Sequence, residues 1–150
     1  MKIDTKVKPT KIYRAIPNVK SGINFEYYTT NKLVAELYEQ KYGLGMVIKT
    51  VALKHAVVYT LSPQGEEFNH IYNLVDQMEI AFEKARNSST DYTFTRFGTK
   101  IIIPALTDGI VIENIIDVPG GELPSDPDAK PDQWKYEARK YKSNVYILPK

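Results

Sequence analysis

The chain contains no cysteine. That absence excludes disulfides, thiolate metal sites, iron–sulfur clusters and cysteine nucleophiles together. Any catalysis must use other groups, and histidine, the first to consider, is present only as His55 and His70. Long apolar runs are also missing. No stretch approaches the ~18 consecutive apolar residues of a membrane helix, and no apolar segment follows the lysines of residues 1–11 as it would in a secretory leader. The expectation is a soluble, cytoplasmic chain with no membrane partner. Phosphate loops are absent in their usual forms. Gly43-Leu44-Gly45 lacks the third glycine and the preceding strand of a dinucleotide fingerprint, and Gly120-Gly121 lacks the lysine and following helix of a P-loop. No Gly-x-Ser-x-Gly elbow occurs. Asn87-Ser88-Ser89 matches a glycosylation acceptor but reads more simply as a helix-terminating loop. No cofactor and no metal are expected.

With 150 residues, the chain is most simply one domain, long enough to bury roughly 70% of the surface it exposes when unfolded. Its 43% hydrophobic and 25% charged content places it with globular proteins rather than disordered ones. The net charge of +2 hides a segregation, because residues 1–20 sum to +5, residues 130–150 to +4 and the rest to −7. Both ends are basic around an acidic body. Such tails either lie across acidic protein surface, their own or a partner's, or neutralise phosphates.

Order along the chain is set by the stretch Glu66 to Arg86. Phe68, Ile71, Val75, Met78, Phe82 and Ala85 recur there at spacings of three and four, predicting an amphipathic helix roughly 30 Å long. A shorter helix is expected over 31–42, capped by Thr30 or Asn31 and stopped by Gly43. Strands are expected at Lys11–Ile16 and Ile23–Tyr28. Residues 46–61 predict one long bent strand, or two joined by a bulge near Lys54-His55. Tyr92–Phe97, Thr99–Leu106 and Ile110–Ile116 predict an antiparallel meander, with Asp108-Gly109 as its second turn. Residues 117–133 carry four prolines and a Gly-Gly pair and predict a long irregular loop. A short basic helix over 133–142 and a strand over 145–148 follow. The predicted fold is a single α+β domain: a mostly antiparallel sheet packed by the 66–86 helix, with the 31–42 helix beside it. Residues 1–11 form an extended basic arm, and residues 117–150 a proline-rich loop with a C-terminal helix and strand appended.

Two sets of residues offer chemistry. Glu66, Glu67 and His70 can share one face at the start of the long helix, and with His55 they could form a two-histidine, one-carboxylate metal site or an acid–base pair. The plainer reading gives the glutamates to the helix dipole and His70 to the margin of the apolar stripe. The second set is the basic and aromatic C-terminal segment, where Trp134 and Tyr141 interleave with Lys135, Arg139, Lys140 and Lys142, complemented by Lys6, Lys8 and Lys11 at the other end. That mixture suits protein interfaces and single-stranded nucleic acid alike. The other tyrosines, among them Tyr13, Tyr27 and Tyr38, are assigned to core margins. The leading expectation is a non-enzymatic interaction or assembly protein that self-associates or docks on a protein partner through its basic ends and proline loop. A virion component or a mobile-element inhibitor fits that description. Nucleic-acid binding is the alternative, and a small enzyme built on His55, His70 and Glu67 the second.

Overall fold

The computed structural model describes residues 1–17, 24–61, 67–117 and 140–150. The described residues form, in chain order, β1 (Lys2–Pro17), β2 (Phe25–Thr29), α1 (Lys32–Tyr42), β3 (Gly43–Thr60), α2 (Glu67–Ser88), β4 (Tyr92–Arg96), β5 (Thr99–Ile103), β6 (Gly109–Ile116) and β7 (Lys142–Pro149).

Five of these strands close into a barrel in the order β1, β2, β7, β6, β3, while β4 and β5 form a separate two-stranded sheet. This corrects the expected fold class. The molecule is mostly strand, closed on itself, and not an α+β sheet packed by one long amphipathic helix. Long-range pairings that local periodicity cannot report make the difference. The meander predicted over 92–116 ends at Ile103, because β6 leaves β5 and runs parallel to β3, from Ala56↔Gly109 to Thr60↔Glu113. A parallel pair needs a crossover of about a dozen residues or more, and α2, β4 and β5 form it. Nor are the two ends appendages. β7 is a barrel strand held between β2 and β6, and residues 2–11 pair with β3 from Lys2↔Val58 to Lys11↔Thr50.

Strict alternation along the central strands creates two cores, one on each side of the barrel wall. Ile12, Tyr28, Leu53, Ala56, Val58, Val111, Tyr146 and Leu148 cluster together. Their neighbours Val57, Ile110, Ile112, Val145 and Ile147 point the other way and pack with Leu74, Met78, Ala81, Phe82 and Ala85 of α2 and with Ile101 and Ile103 of β5. Strands buried on both faces read as continuous apolar runs, as Ile110-Val111-Ile112 and Val145-Tyr146-Ile147-Leu148 do. Gly109 lies where these layers meet β3. A Cβ there would come within 2.8 Å of Leu53 and 2.9 Å of Leu148, so the Asp108-Gly109 pair serves close packing and not a hairpin turn. Asp108 instead spans to β3, its carboxylate accepting from the backbone N–H groups of Lys54 at 2.8 Å and His55 at 3.1 Å.

The amino-terminal half of β1 is paired on one side only among the described residues, since β2 meets β1 at Tyr13↔Thr29. Lys6, Lys8 and Pro9 sit on this open edge. Register shifts fall between Lys2 and Thr5, Thr5 and Val7, and Val7 and Thr10. Lysines, proline and bulges are the means by which free edges avoid pairing with other chains. The basic character of this segment thus has a structural cause.

Asn31 ties α1 to the barrel. Its side-chain oxygen accepts from Leu33 N–H at 3.0 Å, capping the helix, while its amide nitrogen donates to the carbonyls of Lys140 at 2.7 Å and Lys142 at 3.0 Å. A cap contributes about 1 kcal/mol and each neutral hydrogen bond about 1 kcal/mol. Asn31→Ala should therefore lower the melting temperature by roughly 6–12 °C for a chain of this size. Asn31→Asp keeps the capping oxygen but loses both donations, and should recover less than half of that loss in a circular-dichroism melt. Full recovery by aspartate would show that the bonds to β7 add nothing.

Candidate functional site

The site with the most developed geometry lies where β1 and β2 meet between α1 and α2. A cavity of about 510 Å³ is bounded there by Tyr13, Arg14, Ala15 and Pro17 of β1, the whole of β2 except Glu26, Val34, Ala35 and Tyr38 of α1, and Val75, Asp76 and Glu79 of α2. Gly43, Asp117 and Val145 complete the described lining. This volume is in the range of small-molecule sites, and the walls are largely apolar, as in such sites.

Three tyrosine–carboxylate pairs lie at or beside the cavity, two joining distant parts of the chain and the third joining two residues of β2. The Tyr38 hydroxyl donates to Asp117 Oδ1 at 2.5 Å. The Tyr27 hydroxyl donates to Glu79 Oε2. The Tyr28 hydroxyl donates to Glu26 Oε2 at 2.7 Å, and the Arg14 guanidinium lies 3.9 Å from the other Glu26 oxygen. Each phenol lets a carboxylate approach an apolar wall while keeping one acceptor satisfied. Desolvation nonetheless dominates. Burial pushes the Asp117 carboxyl up despite the Tyr38 hydrogen bond, and burial followed by the neighbouring Glu83 pushes Glu79 up. Burial and the bond to Glu26 raise Tyr28 to about 12, which keeps it a donor across the physiological range. Neither Glu79 nor Asp117 has a cationic partner among the described residues.

Placement of these groups follows from the fold. Alternation on β2 sends Phe25 into the outer core and Tyr28 into the inner one. On α1, Val34 and Tyr38 are one helical turn apart and share a face, and Val34 packs with Tyr141. Asp117 follows β6, and its backbone N–H donates to the Tyr141 carbonyl at 3.1 Å, fixing the carboxyl beneath Tyr38.

The sequence candidates are distributed differently. Glu66, Trp134, Lys135 and Arg139 lie outside the described residues, as do the side chains of Glu67 and His70. The pairing of His55 with His70 is therefore not tested by the structure. His55 is paired instead with Asp4, whose Oδ1 is 2.6 Å from Nδ1. Asp4 has φ of 48° at a register shift in β1, the left-handed region in which asparagine and aspartate are enriched among residues other than glycine. Lys6, Lys8, Lys54 and His55 line a shallow groove with Val7 and Leu53, so two residues of the basic set and one of the catalytic set share a surface. Among the described residues, no three His, Asp or Glu side chains gather to hold a metal ion, and no helix is long and apolar enough to cross a membrane. Lys140 and Lys142 are exposed beside α1 and Lys11 is exposed on β1. Tyr141, one of the two aromatics offered beside the basic residues, is only 7% exposed and packs with Val34.

No family model matches the chain, and comparisons with curated proteins and with solved structures find no match. The cavity residues escaped the sequence reading because their partners are remote, 52 positions apart for Tyr27 and Glu79 and 79 for Tyr38 and Asp117. The available signal was the count of eleven tyrosines, read as core margins.

A carboxyl whose pKa is raised by folding stabilises the native state below its unfolded value and loses that contribution as pH rises through the folded value. For Asp117 the loss starts above about 3.8, its ordinary value. Asp117→Asn still accepts from Tyr38 but cannot ionise. Its melting temperature should gain on the wild type as pH rises from about 4 to 7. A gap that stays constant, or narrows, would mean that the buried charge is not destabilising.

Proposed function

We propose that this protein binds a small organic ligand in the cavity between β1, β2, α1 and α2. The observation that carries the reading is an apolar cavity of about 510 Å³ at which two tyrosine–carboxylate pairs, Tyr27–Glu79 and Tyr38–Asp117, join different elements, with Tyr28 held by Glu26 beside them on β2. Apolar walls provide affinity through the area removed from water, about 25 cal/mol per Å². The few placed polar groups orient the ligand. Expected interaction and assembly roles are compatible with a ligand site, since neither requires the cavity.

A neutral apolar dye, N-phenyl-1-naphthylamine, tests occupancy. Its fluorescence should rise saturably with one site per chain. Ala35→Phe and Ala15→Phe each project a ring toward the cavity and should abolish the rise while leaving a cooperative melt. Unchanged dye binding in both folded variants would place the dye elsewhere and end the proposal.

A second reading has one specific observation behind it. Lys6, Lys8, Lys54 and His55 line one groove, the arrangement that a phosphate backbone needs for counterion release. If single-stranded oligonucleotide binds there, affinity should fall with a log–log salt slope of about −0.7 per phosphate contacted. Lys6→Ala together with Lys8→Ala should flatten the slope by about two such contacts. No salt-sensitive anisotropy change at low ionic strength would remove this reading.

A further inference from the structure

The cavity carries an imbalance that narrows the chemistry of its ligand. Its described lining holds three carboxylates, Asp76, Glu79 and Asp117, against one guanidinium, Arg14. That guanidinium already faces Glu26 at 3.9 Å. Aromatic surface surrounds these charges: Tyr13, Tyr27, Tyr28, Tyr38 and Phe25 all contribute to the wall. A ring face is the negative pole of its quadrupole and attracts cations, most strongly where water is excluded.

We infer that the ligand is a small organic cation, an ammonium carried on an apolar body, seated against the tyrosine rings with Glu79 and Asp117 as its counter-charges. The inference rests on the ligand-binding reading above and specifies the class of ligand.

Two features support it. Glu79 and Asp117 line the cavity from α2 and from the end of β6, each held by a tyrosine hydroxyl that satisfies one oxygen. Neither carboxylate has an ammonium or guanidinium partner among the described residues. Removing an ionised carboxylate from water without a counter-charge is costly, and the upward shift of both groups registers that cost. An organic cation supplies the missing charge, whereas an anion would face three like charges. The apolar lining separates an organic ammonium from a hydrated metal ion, because a metal ion needs several oxygen ligands gathered at one point. No such gathering occurs among the described residues.

The test compares two molecules of the same shape that differ by one charge. Phenyltrimethylammonium and tert-butylbenzene are titrated calorimetrically into the whole chain, and into Glu79→Gln, Asp117→Asn and the double variant, each first checked for a wild-type circular-dichroism spectrum. The cation should bind the wild type at least about ten-fold more tightly than its neutral isostere. In the double variant the ratio should fall several-fold, to what the tyrosine rings and Asp76 alone supply, with the affinity for tert-butylbenzene unchanged. Glu79→Gln is the safer single variant, because Glu79 is only half-buried, and it should lose part of the preference by itself. Equal binding of the two molecules by the wild type, or a preference undiminished by both substitutions, overturns the cation inference and leaves the ligand site standing. Binding of neither molecule, together with no dye uptake, overturns the ligand site as well.

Discussion

The parallel ladder between β3 and β6 is the constraint on which the rest of the molecule depends. It pairs Ala56 to Thr60 with Gly109 to Glu113, and by joining segments about a third of the chain apart it closes the barrel. Because the two strands run the same way, the intervening chain must travel back along the outside. That return path places α2 and the β4–β5 hairpin over β6 and β7 and gives those strands a second buried face. The helix read from sequence as the organiser is therefore a consequence of closure. It covers a barrel wall that would otherwise expose Ile110, Ile112, Val145 and Ile147.

Closure also decides where the cavity forms. β2 is short and meets β1 at one described pair, so the wall is thinnest there. α1 and α2 flank that gap and supply Tyr38 and Glu79 to its rim. Asn31 fixes α1 by holding the carbonyls on either side of Tyr141. Tyr141 in turn packs under Val34. Position of the site thus depends on contacts between β7, α1 and β2, all laid down by the same barrel order.

What was legible in the sequence was local. Helical spacing from Phe68 to Ala85 and the Asn31 cap correspond to helices at Glu67–Ser88 and Lys32–Tyr42. The Val, Ile and Thr content of 46–61 corresponds to one long strand, and Gly98 marks a real turn between β4 and β5. Barrel closure was not legible, because alternation tells which face a residue takes and not which strand lies beside it. Asp108-Gly109 was misread for a related reason. Its turn chemistry is genuine, but the aspartate is used to cap N–H groups of β3 and the glycine to admit Leu53 and Leu148. Of the candidate site almost nothing was legible. Tyr27, Tyr28 and Tyr38 acquire their meaning from carboxylates that only the tertiary fold brings near. His55 was noticed, yet its partner Asp4 lies 51 residues away across a bulged pair of strands.

Charge placement separates what the fold requires from what it merely tolerates. Lysines on the open edge of β1 cost little, being solvated, and they prevent association with stray strands. The carboxylates at the cavity are a different matter. Glu79 and Asp117 face apolar walls without a counter-ion, and a barrel of this kind would be more stable with Gln and Asn, or with plain hydrophobic residues, in their places. Arg96 is the instructive contrast. It is only 5% exposed, and its Nη1 donates to two side-chain oxygens of α2, Asn73 and Gln77, at 2.7 Å each. Glu79 and Asp117 each accept one tyrosine hydroxyl and have no cationic partner among the described residues. Local rules broken without structural return are characteristic of functional positions. That asymmetry, more than the size of the cavity, is the physical reason for proposing a ligand site there.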